Sequence, residues 1–183
     1  AADVIASGTA IDGMLFRHAA SESVLGYSVT PLSAWFLMVL GLIAVPVALY
    51  STGYFAHAVA RPRTAAVGAA FTAMVGGLEV VFIADGVIAF LCGWEVMTLA
   101  TAALVATEHE SRPSRRAAYL FLVMSHVGTG CLMAGFLILA SAAGSLSFAA
   151  MLSGHVVAGP MRHGLFALFF IGFGVKAGLI PFH

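Results

Sequence analysis

Residues 32–50 carry no charged side chain, and an apolar run of that length constrains the fold more than any other feature of the chain. In a hydrocarbon core about 30 Å thick, roughly 20 such residues cross as a helix, because only a helix satisfies its backbone N–H and C=O groups within one segment. Residues 65–107 are too long for one crossing, and Asp85-Gly86 in "IADGVIA" divides them. Further apolar runs cover about 117–141 and 164–182. The expected fold is all-α, a polytopic transmembrane helix bundle with about five spans (about 32–50, 65–84, 87–107, 117–141 and 164–182) and little room for strands. Pro46 is expected to kink the first span. Residues 1–30 are mixed polar and small, and are expected to form an external loop or segment ahead of a transmembrane domain at 31–183. With no basic and apolar leader at the start and an apolar span running to the last residue, the chain reads as a fragment of a longer protein.

Composition agrees. The chain is 61% hydrophobic and 9% charged, with a mean hydropathy of +1.03, against roughly 25% charged residues in a soluble domain. A net charge of zero gives no footprint for nucleic acid. Cys92 and Cys131 fall in apolar runs and read as small buried hydrophobes; no CxxC, HExxH or glycine-rich phosphate loop is present.

Lysine and arginine orient the bundle. Segments 51–64 and 108–116 hold five of the eight basic residues (Arg61, Arg63, Arg112, Arg115, Arg116), and the positive-inside rule places both in the cytoplasm. Residues 1–30 and 143–163 then lie outside. "EHESRPSRR", with alternating signs and Pro113, reads as a solvated interhelical loop.

Four ionisable residues cannot be moved into loops: Glu79, Glu95, His126 and Lys176. At about 1.5 Å of rise per residue, Glu95, His126 and Lys176 lie about 12–18 Å from the face where each helix enters, near the midplane. Glu79 lies nearer the outer surface, where it can reach water. A glutamate and a lysine at one depth can neutralise each other, and a histidine titrates close to neutrality and suits a relay. Burial favours release of a lysine proton while a nearby carboxylate favours its retention, so such a lysine can accept and release a proton as its partner moves. Thr98 lies one turn from Glu95, and Ser125 and Thr129 flank His126. Around Lys176, Gly174 and Gly178 form a GxxxG pair that permits close helix approach, and Pro181 lacks a backbone donor; together they read as a helix break beside a midplane charge. Each charge also has a plainer reading, as a structural ion-pair member or a hydrogen-bonded core histidine.

"GWEVMTLATAALVATEHE", "RRAAYLFLVMSHVGTGCLMAGFLIL" and "GFGVKAGLIPFH" resemble the antiporter-like membrane subunits of respiratory complex I and its relatives, and "YSTGY" at 50–54 matches a Tyr-Ser-x-x-Tyr signature of that family. The wording is most similar to the hydrogenase-4 and formate hydrogenlyase membrane subunits (component B). The resemblance implies a fold of about fourteen helices with two inverted five-helix repeats, of which this chain supplies most of the first. It further implies that Glu95 and Lys176 gate proton movement as they associate and separate, and that His183, ending Pro-Phe-His, lies on the path beyond the lysine. Where the largest such subunit of complex I reads Arg-Val-Gly-Asp, this chain has His126, Val127, Gly128 and Thr129, which argues against that particular subunit.

The function expected is a proton- or cation-translocating membrane subunit of a redox-driven complex of the hydrogenase-4, formate hydrogenlyase or NADH:quinone oxidoreductase type. The alternatives are a subunit of a multisubunit sodium/proton antiporter and a non-pumping membrane scaffold. No cofactor is expected on this chain; nickel-iron and iron-sulfur centres are expected in partner subunits, alongside other membrane and peripheral subunits, in a bacterial inner membrane.

Overall fold

The structure is a computed structural model and describes residues 1–17, 24–58, 61–153, 157 and 159–179. Five long helices dominate it: α2 (Pro31–Ala58), α3 (Arg61–Ile83), α4 (Val87–Val105), α5 (Arg112–Ala143) and α7 (Pro160–Ala177). Two short helices, α1 (Ala2–Ser7) and α6 (Phe148–Leu152), and a 3₁₀ turn at Ala106–Glu108 complete the helical elements. Among the described residues, four segments are long and apolar enough to cross a membrane: Pro31–Phe55, Arg63–Ile83, Val87–Glu108 and Arg112–Ala143. The chain is a multi-pass membrane protein. Helix α2 continues through Pro46 to Ala58; the basic loop starts later than the end of the apolar run implies.

The expectation of little room for strands is corrected by an antiparallel hairpin, β1 (Ile11–Arg17) and β2 (Val24–Val29). Its hydrogen bonds come from the backbone and need no apolar run. It is anchored to the bundle through β2: Tyr27 bridges to Ala84, and the Asp85 carboxylate lies against Gly26, where a Cβ would collide with it.

The same end of the bundle gathers the α5–α7 connection. Gly86 bridges to Ser147, Val87 N–H donates to Leu146 O (3.0 Å), and Phe148 N–H donates to Asp85 O (2.9 Å). The hairpin, the Asp85 turn and the start of α6 therefore share one end. At the opposite end Arg63 forms an ion pair with Glu110, and Arg115 donates to the carbonyls of His109 and Glu110. The two groups of loops separated by the basic-residue count thus lie at opposite ends of the helices.

Between these ends the core forms around Val87, Trp94, Met97, Leu132 and Phe136. Aromatic rings tie α4, α5 and α7 together: Phe90 meets Phe136 edge-on (5.5 Å), and Phe136 meets Phe169 edge-on (4.9 Å), within the separation range of favourable ring pairs. Glycine sets the helix spacing. A Cβ on Gly77 of α3 would fall 2.7 Å from Met97 N and 2.9 Å from Gly93 O of α4. In the same way α5 and α7 cross at Gly128 and Gly172, where a Cβ on Gly172 would lie 2.6 Å from the Leu132 side chain and 3.0 Å from Gly128 O. Tight packing of this kind holds membrane helices together where lipid offers no hydrophobic drive.

The Arg63–Glu110 link is pH-dependent. A backbone hydrogen bond at Glu110, followed by its bond to Arg63, holds the carboxyl below its usual value. A carboxyl depressed in the folded state stabilises above its unfolded pKa of about 4.3, and that contribution is lost as pH falls through the folded value. Amide exchange over 106–112, corrected for intrinsic rates, is expected to stay level from neutrality to about pH 4.5 and rise below it. Glu110→Gln should remove that rise; a rise of equal size in the variant would assign it elsewhere.

Candidate functional site

Lys176 occupies the last turn of α7, one residue before the helix ends at Ala177. The end is built by Gly178, in the left-handed region at φ 68°, with Gly178 N–H donating to Val175 O (3.2 Å) and Leu179 N–H to Gly174 O (2.9 Å). A lysine there faces the negative end of the helix dipole. Gly178 thus ends α7 directly after Lys176 and Ala177. The expected close helix approach at Gly174 and Gly178 is corrected: a Cβ on Gly178 would meet nothing within 4 Å, and one on Gly174 would meet only Leu179 of its own chain end. Because Gly178 leaves the helix, the pair cannot present one helical face. Gly172 supplies the close approach instead.

Lys176 Nζ donates to Thr98 Oγ1 at 2.8 Å. Thr98 is fully buried, and its own hydroxyl donates to Trp94 O at 2.8 Å, so its lone pairs are free to receive the ammonium. The ammonium also lies 5.4 Å from the Trp94 ring centroid and 5.5 Å from that of Phe121, within cation–π range. Helices α4, α5 and α7 therefore each contribute to one half-buried cation.

Glu95 sits one turn from Thr98 on α4. Its Oε2 lies 3.5 Å from His126 Nε2 on α5, and its buried Oε1 has no hydrogen-bond partner. His126 Nδ1 is 2.8 Å from Leu122 O. A carbonyl only accepts, so Nδ1 carries a proton, and in the neutral ring Nε2 presents a lone pair to the carboxylate. A proton on either Nε2 or Oε2 turns that opposition into attraction.

The predicted residues thus come together in a different pairing. Glu95 and Lys176 were expected as partners, but no contact within 4.0 Å joins them among the described residues; Lys176 goes to Thr98 and Glu95 goes to His126. Glu95 still acts on Lys176 electrostatically. His126 is exposed, as is Glu79 on the outer face of α3. Thr129 donates to Ser125 O (3.1 Å), within α5. Pro181 and His183 lie outside the described residues. Sequence reasoning missed Trp94 and Phe121 as neighbours of Lys176. Trp94 stands beside Glu95 in the quoted motif, whereas Phe121 had no signal beyond its apolar run. Among the described residues no group of three or more His, Cys, Asp or Glu could hold a metal ion.

A bundle of apolar helices with a lysine in the last turn of one and an acid on its neighbour fits an antiporter-like membrane subunit. The chain belongs to the NADH:quinone oxidoreductase/Mrp antiporter transmembrane family, whose model matches residues 84–183. It is 36% identical over 153 residues to an uncharacterized protein of Mycobacterium tuberculosis, covering 83% of this chain and 23% of that protein. It is 30% identical over 152 residues to hydrogenase-4 component B of Escherichia coli, covering 83% and 22%. Among solved structures it resembles a chain of the membrane-bound sulfane sulfur reductase, an archaeal respiratory membrane complex (TM-score 0.77, 24% identity, 97% of this chain and 27% of that chain). It also resembles one of respiratory complex I from Thermus thermophilus (TM-score 0.64, 22% identity, 80% and 32%). These two likenesses carry the fold. The chain spans less than a quarter of the length of the two relatives named.

Proposed function

We propose that this chain is part of a proton- or cation-translocating membrane subunit of a redox-driven complex, of the hydrogenase-4 type or a related quinone oxidoreductase. One observation carries the reading: His126, Glu95, Thr98 and Lys176 form a polar row across three helices of an otherwise apolar bundle. Ionisable groups inside a membrane are costly and mark ion pathways. Lys176 holds a proton against Thr98, while Glu95, with one oxygen unpartnered, has an acceptor to offer it. Charge arriving at the His126–Glu95 pair changes the field on Lys176 and so its hold on that proton. The proton then passes beyond the helix break, toward Pro181 and His183. Translocation of this kind needs no redox group on the chain, and nickel-iron or iron-sulfur centres belong to partner subunits.

The relatives' names support membrane and peripheral partner subunits. The basic segments 51–64 and 108–116 support a cytoplasmic position for that end, in a bacterial inner membrane. A sodium/proton antiporter subunit is the second reading, favoured by the Mrp antiporters that the family takes in.

The test is Glu95→Gln in the full-length protein within its native complex, in inside-out vesicles. Redox turnover and assembly on blue-native gels are expected to persist while proton uptake per turnover falls at least about tenfold, near 1.4 kcal/mol. Unchanged uptake would overturn the proposal; loss of assembly alone would favour a scaffold. Proton uptake driven by an imposed sodium gradient, without redox substrate, would favour the antiporter.

A further inference from the structure

A cavity of about 650 Å³ opens between the ends of α2, α3 and α4 nearest the basic segments, lined on α4 by Leu104 and Val105 and apart from the polar row. Its floor is apolar, with Val67, Phe71 and Leu104, and its rim is hydroxylated. Five of the lining hydroxyls, apart from Thr64 and the Tyr54 phenol, already donate to backbone carbonyls. Ser51 donates to Val47 O, Thr52 to Leu49 O, Thr72 to Gly68 O, Thr107 to Leu104 O and Ser114 to Val105 O, all at 2.6–2.9 Å. A hydroxyl has one proton and two lone pairs, so these five have spent their donors and keep acceptors. Glu108 completes the wall with a carboxylate that has no hydrogen bond or ion pair among the described residues. The result is a cavity rich in acceptors and carrying a negative charge.

A second hollow of about 240 Å³ shares Val67 and Thr107 with the first and carries Arg63 and His109. Acid and base therefore flank one site at the level where helices end and lipid headgroups lie.

From this arrangement we propose that the cavity binds a phospholipid with a primary ammonium headgroup, of the phosphatidylethanolamine class. The ammonium donates to Glu108 and the hydroxyl acceptors, with three N–H groups to match several lone pairs. The phosphate turns toward Tyr54, which retains a phenolic donor at the rim, and toward Arg63. An acyl chain runs down the floor over Phe71. A choline headgroup has the charge but no N–H donor, and a glycerol headgroup has donors but leaves the lipid anionic beside Glu108. The site therefore discriminates by N–H donation and charge together. It does not depend on the chain translocating anything.

The experiment is native mass spectrometry of the full-length protein released from micelles doped separately with phosphatidylethanolamine, phosphatidylcholine and phosphatidylglycerol. The wild type should retain phosphatidylethanolamine at least about tenfold more tightly than the other two. Glu108→Gln should bring the three within about twofold, and Phe71→Trp, which fills the floor, should lower retention of all three. Equal retention of the three lipids by the wild type would overturn the proposal without any variant. Selectivity that survives both substitutions would overturn the assignment to this cavity. A structure of the full chain with another helix in the cavity would do the same.

Discussion

Gly77→Val is expected to reduce folded protein in the membrane to near background. Even the first carbon of the new side chain would lie 2.7 Å from Met97 N and 2.9 Å from Gly93 O, both backbone atoms of α4. A flexible side chain could swing away, but a helix backbone cannot. Overpacking usually costs about 1–3 kcal/mol. Here it would also force α3 and α4 apart and loosen Trp94 and Met97 from the core, so the loss should reach the upper end of that range or beyond. The adjacent Gly76 is the control: a Cβ there meets nothing within 4 Å, and Gly76→Ala should gain a few tenths of a kcal/mol to about 1 from helix propensity. Gly77→Ala should already destabilise. The measurement is denaturant unfolding in micelles, with membrane levels by immunoblot. If Gly77→Val and Gly76→Ala unfold at the same midpoint, the crossing is not where the structure places it.

This crossing was not visible in the sequence, and the reason is geometric. Counting 1.5 Å per residue fixes the height of a residue in the membrane, but each residue also turns about 100° around the helix axis. Height alone says that Glu95, His126 and Lys176 share a level; it does not say which faces meet. Glu95 and Thr98 lie one turn apart, so a lysine reaching in from α7 can select either, and in the structure it selects Thr98. The glycine contacts failed to show for a related reason. Gly77 and Gly93, or Gly128 and Gly172, sit on different helices and form no local motif, whereas Gly174 and Gly178 have the motif spacing without the contact.

Asp85-Gly86 separates α3 from α4 because a charged residue and a glycine interrupt two apolar runs, and Gly178 ends α7 beside Lys176. The distribution of arginines separated the loops into two groups, and the contacts of Asp85 with Phe148 and of Arg63 with Glu110 lie within those groups. The hairpin escaped because its strands are short and stabilised by backbone pairing and by close approaches at Gly13 and Gly26, features with no period to detect.

Lys176→Met should abolish proton uptake per turnover while leaving the complex assembled. Methionine keeps most of the length and apolar contact of lysine but has no proton to pass. The more discriminating variant is Thr98→Val, because it separates the partner the structure assigns from the partner the sequence implied. Valine preserves the volume of threonine and removes the acceptor at 2.8 Å from Lys176 Nζ. A hydrogen bond to a charged group is worth about 1.5–3 kcal/mol. Once it is lost, a buried, unpartnered acceptor remains on Glu95, whose charge already acts on the ammonium. The lysine is expected to move to that oxygen and stay there, since a paired and desolvated ion is hard to separate. Proton uptake should then fall about tenfold to a hundredfold, in step with the lost hydrogen bond, and Thr98→Ser, which restores the acceptor, should recover most of it. A Thr98→Val complex with wild-type uptake, alongside an inactive Lys176→Met, would show that the lysine works from Glu95 alone. A fall that Thr98→Ser does not rescue would assign the loss to packing. Rescue, in contrast, makes Thr98 the resting partner of the protonated lysine and leaves Glu95, shared with His126, as the charge that draws it away.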